Sequence, residues 1–354
     1  MRAFFSSTDP EKVTCSSSTL SRFTKQLSVL LNAGIPMHEG LQTLMQVQAD
    51  SLSLWVTPEL RKNVTLGYRF SSVLRKFPRI FSPTYVALIR AAEETGKLVK
   101  SLDRLGDWLE RRESIERQVR KALIYPLFVV VVAAILTLGL FRTVIPGILD
   151  TVVGLGVDLP WPTQLLLTLV HLIEQPLTWL LAFAVLAAIA IYLRSQEGWE
   201  RFLILMSHVP VVGQIIMYSA LSRYAHTMSM LLDSGVDIIR ACRISGDASF
   251  NPLIRADAGR VAAQLREGRY YTESLQESPL YPSLLVDMVR VGDETGKLAG
   301  LLGRCGDIME QDTLHKVDLF LNLLEPIVLS TISVGVGFII IAVLMPMSSL
   351  ISAL

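Results

Sequence analysis

Three long apolar stretches interrupt a chain whose other segments place apolar residues at helical spacing. The first, ALIYPLFVVVVAAILTLGLF, has no charge over 20 residues, and the second, QPLTWLLAFAVLAAIAIYL, covers 19. The last 29 residues, after Glu325, are also uncharged. About 20 apolar helical residues cross the hydrocarbon core of a bilayer, which is roughly 30 Å thick. The pattern predicts transmembrane helices over 122–145, 175–193 and 319–346, since buried core helices of this length would need far more protein to cover them.

A fourth apolar run, LPWPTQLLLTLVHLI at 159–173, is shorter and contains His171. Its 15 residues are too few for a crossing of their own. It either extends the second span outward or lies along the membrane interface, so it is not counted as a separate span.

Outside the apolar stretches the pattern predicts short helices. In LSVLLNAGIPMHEGLQTL the apolar residues recur at helical spacing, Gly34 stands where a helix would end, and Pro36 opens the next one. Farther along the chain Asp237, an N-cap type of residue, occupies the position that corresponds to Pro36. There is no run of alternating β-branched residues in these parts, so we expect bundles of five or six helices.

The chain contains a long internal repeat. SRFTKQLSVLLNAGIPMHEGLQTL (21–44) matches SRYAHTMSMLLDSGVDIIRACRIS (222–245) at an offset of 201, and IRAAEETGKL (89–98) matches VRVGDETGKL (289–298) at an offset of 200. The match extends into the apolar stretches, so each repeat joins a polar domain to a span. Two copies that point the same way need an extra crossing between them. The sequence therefore predicts an all-α membrane protein, with two homologous cytoplasmic helical bundles and three transmembrane helices.

The predicted domains follow from the repeat and the apolar stretches. They are a flexible N-terminal tail (1–19), the first cytoplasmic helical domain (20–121), the first transmembrane helix (122–145), a periplasmic loop (146–174), the second transmembrane helix (175–193), a cytoplasmic connector (194–220), the second cytoplasmic helical domain (221–318), the third transmembrane helix (319–346) and a periplasmic C-terminus (347–354).

The basic residues predict the orientation. Of 33 lysines and arginines, only Arg142 lies between the first two spans, and none lies after residue 318. Cytoplasmic segments carry the excess of basic residues, so the N-terminus is expected in the cytoplasm and the C-terminus in the periplasm. The net charge of +1 gives no reason to expect a nucleic-acid partner.

No pattern of catalytic or metal-ligating residues is found. Cys15, Cys242 and Cys305 are scattered, and the five histidines form no metal-binding pair. There is no GxSxG or HExxH motif, and the two Thr-Gly-Lys sequences lack the upstream glycine and the following hydroxyl of a phosphate-binding loop. We therefore predict no catalytic residue, cofactor or metal, and no enzymatic activity.

The repeated hexapeptide, EETGKL at 93–98 and DETGKL at 293–298, is the candidate interaction site. A helix over about 84–94 is expected to end near Gly96, and a long helix to begin at Lys97. Two interpretations remain open: a structural corner whose acids face the N-terminus of the next helix, or a surface that binds a basic partner or a cation. The candidate partner-binding residues are Glu93, Glu94, Gly96, Asp293, Glu294, Gly296 and Glu325.

Several short motifs occur in a fixed order along the chain and carry a family resemblance. They are LLNAG (30–34) with LLDSG (231–235), AEETGKL (92–98) with GDETGKL (292–298), Tyr125-Pro126 with Glu325-Pro326, and LPWPT (159–163). In these motifs the chain resembles the type II secretion F family, the inner-membrane platform proteins of type II secretion systems and type IV pili. The similarity runs from about residue 20 to 354. The first acidic corner departs from the family pattern by having Ala92 where the family usually has glycine, and in the second Asp293 replaces the family's glutamate.

The resemblance implies a non-catalytic protein of the bacterial inner membrane that couples a cytoplasmic secretion or assembly ATPase to the polymerisation of pilin or pseudopilin subunits. It also implies contacts with other inner-membrane assembly proteins and with lipid, and self-association. Glu325 is expected at the cytoplasmic interface, with Lys316 or Arg120 as a counter-ion, or in contact with a pilin amino group. The small residues Ala184 and Ala188 allow close packing of helices.

The alternative function is a small polytopic transporter or channel component. Such a protein would carry polar groups near the membrane midplane, and transporters often contain an inverted repeat. The predicted spans are nearly featureless there, and the two repeats point the same way. The assembly-platform interpretation is therefore favoured.

Overall fold

The computed structural model describes residues 14–47, 52–143, 161–207 and 209–353, and this part of the chain is helical without a β-strand. The helices are α1 Ser17–Asn32, α2 Met37–Val47, α3 Thr57–Thr65, α4 Phe70–Leu74, α5 Pro83–Thr95, α6 Leu98–Thr143, α7 Trp161–Glu174, α8 Pro176–Arg194, α9 Gln196–Ser207, α10 Val212–Asp233, α11 Ile238–Ala248, α12 Pro252–Arg266, α13 Tyr271–Gln276, α14 Ser283–Thr295 and α15 Leu298–Ala353. One π-helical turn, Leu52–Val56, precedes α3.

The internal repeat reappears in the order of the helices. Six helices of the first repeat, α1 to α6, correspond one by one to α10 to α15, and the matched elements keep the offset of the sequence. Helix α5 ends at Thr95 and α14 at Thr295, while α6 begins at Leu98 and α15 at Leu298. Helix α1 begins at Ser17, inside the segment predicted as tail, because Ser16 caps it by accepting a hydrogen bond from the Thr19 amide.

Described residues of both repeats belong to one compact unit, made from Met1–Arg117 and Leu203–Lys316. Its core contains side chains from the two copies, including the fully buried Phe23 and Tyr224. Helix α5 of the first repeat packs against α10 and α11 of the second. The division into two separate bundles, and the predicted domain limits, stay predictions.

The second compact unit is made from Gln118–Phe202 and Val317–Leu354. Two helical segments, Pro176–Arg194 and Leu298–Ala342, are long and apolar enough to cross a membrane, and their most apolar parts are not buried by the rest of the chain. The first coincides with the predicted second span, and the second overlaps the predicted third span, 319–346. Within this unit α7 packs against α15 through the buried Thr163, whose hydroxyl donates to the Ala342 carbonyl at 2.6 Å.

The predicted first span lies in the C-terminal part of α6. Its described apolar segment, Pro126–Leu136, is shorter than a bilayer crossing, and residues 144–160 lie outside the described part. Helices α9 and α10 are together apolar enough for a span but are sharply bent at the break. Because Leu221 and Tyr224 of α10 are fully buried in the first unit, that helix is a core element. A third crossing stays a prediction.

Candidate functional site: the repeated acidic corner

The first acidic corner joins α5 to α6. Helix α5 begins at Pro83, where the Ser82 hydroxyl accepts a hydrogen bond from the Tyr85 amide. It ends at Gly96, which has φ 70°, a left-handed conformation that a side chain makes costly. The Lys97 amide then donates back to the Ala92 carbonyl at 2.9 Å. This arrangement closes the helix and turns the chain into α6, as the glycine signal predicts.

The second corner, between α14 and α15, has the same backbone geometry. Gly296 has φ 68° and the Lys297 amide donates to the Gly292 carbonyl at 3.1 Å. A Cβ at Gly292 would lie 2.8 Å from the Leu298 Cα, so the two helices approach too closely here for any side chain. The first copy has the fully buried Ala92 at this position. The two corners therefore differ in how closely their helices meet.

Glu93 caps the N-terminus of α4 and not that of the following helix, α6. Its carboxylate accepts hydrogen bonds from the Phe70 amide at 2.6 Å, from the Ser71 amide at 3.2 Å and from the Ser71 hydroxyl. These donors form the N-terminus of α4, so the prediction that the acid faces the N-terminus of the next helix is wrong. The cause is tertiary: α4 packs alongside α5, and the positive end of its dipole attracts the carboxylate.

Asp293 occupies the corresponding place in the second repeat. The Thr272 hydroxyl donates to its carboxylate at 3.1 Å, at the N-terminus of α13. Burial raises the pKa of Asp293 above its usual value, while the hydrogen bonds from Thr272 act in the opposite direction. The first acid of both hexapeptides is thus engaged inside its own repeat.

The second acid of each hexapeptide points away from the protein. Glu94 is 42% exposed and is held by Arg90 at 3.0 Å and Arg69 at 3.7 Å. Glu294 is exposed and has no hydrogen bond or ion pair among the residues that the structure describes. Of the four acids at the two corners, Glu294 is the most available to a partner.

Glu325, the remaining candidate, lies in α15, and its side chain is outside what the structure describes. Lys316, its predicted counter-ion, donates to Gln214 at 3.0 Å and lies 4.7 Å from the ring centre of Tyr218. The predicted roles of Glu325 stay predictions. Within the described ranges no group of three or more histidine, cysteine or acidic side chains could hold a metal ion.

Sequence reasoning missed a polar network that ties the first corner to the second repeat. The Asp233 carboxylate pairs with Lys100 at 3.1 Å and with Arg104 at 2.7 Å. Next to it the hydroxyls of Ser101 and Ser234 lie 3.1 Å apart in a buried contact. A signal was present in the sequence, because the copies differ here: the first repeat has Asn32 and Ala33 where the second has Asp233 and Ser234.

A basic cleft lies where α5 meets α11. It has a volume of about 560 Å³, and its wall includes Arg69, Arg75, Arg90 and Arg240 together with apolar side chains of α5. Three of these arginines belong to the first repeat and Arg240 to the second. Side chains of like charge from both copies therefore line one cleft.

A family model described as "Type II secretion system (T2SS), protein F" matches the chain twice, over residues 23–146 and 224–346. The two matches cover more than half of the chain and correspond to the two copies of the repeat. The family prediction is confirmed.

Curated relatives match nearly the whole chain. A type IV pilus assembly protein PilC from Pseudomonas aeruginosa is 26% identical over 336 residues, which are 94% of this chain and 89% of the relative. A type II secretion system protein F from Vibrio cholerae is 28% identical over 92% of this chain and 81% of its own. A PilC protein from Thermus thermophilus is 29% identical, with coverages of 95% and 83%. These names belong to secretion and pilus assembly proteins, and none is that of an enzyme.

Proposed function

Because the chain belongs to the type II secretion system protein F family, we propose that it is the inner-membrane platform of a type IV pilus or type II secretion assembly machine. In this role it couples a cytoplasmic ATPase to the polymerisation of pilin or pseudopilin subunits and has no chemistry of its own. Its other partners are membrane lipid and further inner-membrane assembly proteins. The N-terminus lies in the cytoplasm and the C-terminus in the periplasm.

The observation that carries this proposal is the double family match together with the continuity of α15. This one helix begins at the second acidic corner and contains the apolar segment that is long enough to cross a membrane. A continuous helix transmits displacement along its axis better than a flexible linker, since its backbone hydrogen bonds fix each residue relative to the next. The second corner and the apolar segment are thus joined by one helix.

The proposed contact with the ATPase is at Glu294. Its neighbour Asp293 is engaged with Thr272, whereas Glu294 is exposed and has no partner among the described residues. An exposed carboxylate at the end of a helix suits a basic surface on a partner. The apolar outer face of the membrane segments supports contact with lipid and with hydrophobic subunits.

Site-specific photo-crosslinking in the native cell tests the proposal. The photoreactive residue replaces Glu294, and in a matched control it replaces the exposed Glu267, at the end of α12 in the same repeat. We expect a cytoplasmic secretion ATPase to be captured from position 294 and not from position 267. Capture of only the chain itself would contradict the docking role of the corner. Capture of a solute-transport component would contradict the platform role.

A further inference from the structure

The contact between the two repeats is one-sided. The end of α10 in the second repeat lies against the α5–α6 corner of the first, where the Lys97 ammonium donates to the Asp233 carbonyl at 3.2 Å. A Cβ at Gly235 would lie 3.1 Å from the Thr95 side chain. In a two-fold symmetric pair, the end of α1 would make the same contact with the α14–α15 corner. Among the residues that the structure describes, no hydrogen bond or ion pair joins the end of α1 to the α14–α15 corner.

The residues of the other repeat that correspond to these two contact surfaces are exposed. Asn32, Ala33 and Gly34, at the end of α1, are exposed, and a Cβ at Gly34 would meet nothing within 4 Å. Lys297 and Arg304 of the second corner are exposed too. The contact between the repeats is therefore heterologous. The matching helix end of the first repeat and the matching corner of the second repeat both stay exposed. We name the end of α1 with the start of α2 the head face, and the α14–α15 corner the tail face.

Large apolar side chains mark the two uncovered faces. On α10 and α5, two helices that pack together between the repeats, Met230 is 9% exposed and Ala91 8%. Their counterparts are Val29 on the head face, 58% exposed, and Val291 on the tail face, 47% exposed. Apolar area that stays in water forgoes about 25 cal/mol per Å² of burial free energy. Both positions thus carry an apolar residue that no described part of the chain covers.

A polar pair inside the chain corresponds to an apolar pair on the uncovered faces. Ser101 and Ser234 share a buried hydrogen bond across the repeats. The corresponding residues are Leu301 on the tail face and Ala33 on the head face. Replacing one serine alone would leave the other buried hydroxyl without its partner. The exposed Ala33 and the half-buried Leu301 are both apolar, so they suit a contact with each other.

The charges of the uncovered faces are also complementary. Inside the chain Arg240 and Arg90 line the same cleft. Their counterparts are Glu39, 59% exposed on the head face, and Arg290, 49% exposed on the tail face. Opposite charges stand where the inner contact has like charges. The counterparts of Asp233 and Arg104 are Asn32 and Arg304, and the amide oxygen of Asn32 still accepts a hydrogen bond from a guanidinium.

We propose that a second copy of this chain docks its head face on the tail face of the first and so repeats the inner contact between chains. This goes beyond the platform role, because it stands on the interface between the repeats alone. A heterologous contact of this kind extends from chain to chain and closes into a ring only if the rotation permits. By analogy with Glu94, which stays 42% exposed beside the covered corner, Glu294 remains accessible in the assembly.

Disulfide crosslinking of the full chain in its native membrane tests the proposal. The background carries Cys15→Ser and retains Cys242 and Cys305, which are fully buried. Ala33→Cys is placed in a chain with one tag and Leu301→Cys in a chain with another. We expect a disulfide-linked pair containing both tags when the two variants are expressed together, and no linked pair from either alone. The two substitutions in one chain should give a ladder of linked species.

The inner contact provides the positive control. Ser101→Cys with Ser234→Cys reproduces the same geometry within one chain, where the hydroxyls lie 3.1 Å apart, and should form an intrachain disulfide. If this bond forms while the mixed variants give no linked pair, the proposal is overturned. Linked pairs from Ala33→Cys alone would also overturn it, because they require a symmetric contact.

The charges give an independent test in the same assay. Glu39→Arg in one chain should lower the yield of the mixed pair by about fivefold, because it turns an attraction into a repulsion. Arg290→Glu in the partner chain should restore it. Lys62→Glu, an exposed change on α3 outside both faces, is the control and should leave the yield unchanged. A loss without restoration would contradict the proposed pairing.

Discussion

At the scale of single residues, the two acids of each hexapeptide differ in their hydrogen bonds. Glu93, which is half-buried, and Asp293, which is exposed, accept hydrogen bonds from the N-termini of α4 and α13. Glu94 and Glu294 face outward. The structural interpretation of this motif therefore applies to its first acid, and the interaction hypothesis concerns its second acid. The first acid is hydrogen-bonded within its repeat, and the second acid is the one proposed to meet a partner.

Replacing Glu93 by alanine should lower the free energy of unfolding by about 1 to 2 kcal/mol. The reason is that the Phe70 and Ser71 amides, which belong to residues only 3% exposed, would lose their acceptor. Thermal unfolding of the detergent-solubilised chain measures the effect. Glu94→Ala is the matched control and should change stability by less than about 0.5 kcal/mol, since its ion pairs are exposed. Equal losses in the two variants would contradict the capping role.

The sequence predicts the corner glycines because their signal is local. A glycine directly after an apolar helical pattern marks a helix end wherever the helix lies in the fold. The partner of Glu93 lies 22 and 23 residues earlier in the chain, and nothing in the local pattern indicates that α4 folds back against α5. Macrodipole reasoning predicts that the acid seeks a helix N-terminus, and only the tertiary packing decides which one.

At the scale of helices, the corners depend on how closely two elements approach. Gly292 of α14 lies under the first turn of α15, with room for no side chain. Gly292→Ala should therefore lower the free energy of unfolding by about 1 to 3 kcal/mol, as overpacking of a close contact does.

Gly259→Ala is the control, because Gly259 lies in α12 with open space where its Cβ would be. There the gain in helix propensity should raise stability by up to about 1 kcal/mol. Both variants are compared by thermal unfolding. Stabilisation by both would contradict the close approach of α14 and α15.

Helix ends and apolar spans were largely predictable, and distances between elements were not. The pattern predicted the end of α5 near Gly96 and the apolar segments of α8 and α15, because capping signals and hydropathy act over a few residues. It did not predict the π-helical turn before α3, which has no established local signal. Nor does it predict that a side chain fits at Ala92 and not at Gly292, because this depends on the spacing of two packed helices.

At the scale of the whole molecule, the duplication explains both the similarity of the two copies and their unequal surroundings. Aligning the copies predicts six matching helices, but it says nothing of how one copy meets the other. The structure shows that the α10 end of the second copy covers the corner of the first. The positions at which the copies differ, such as Ser101 and Leu301, follow from this contact. They become interpretable only when the two environments are compared.

The most direct test of the account is deletion of the gene in the cell that carries it, followed by complementation with the wild-type chain. Surface pili and secreted proteins would be counted alongside pilin and substrate levels in the inner membrane and periplasm. We predict that one of the two outputs disappears, that its subunits or substrates accumulate unassembled or unexported, and that the wild-type gene restores it. Normal pili and normal secretion, with loss of uptake of a solute instead, would contradict the assembly-platform function and support a transporter.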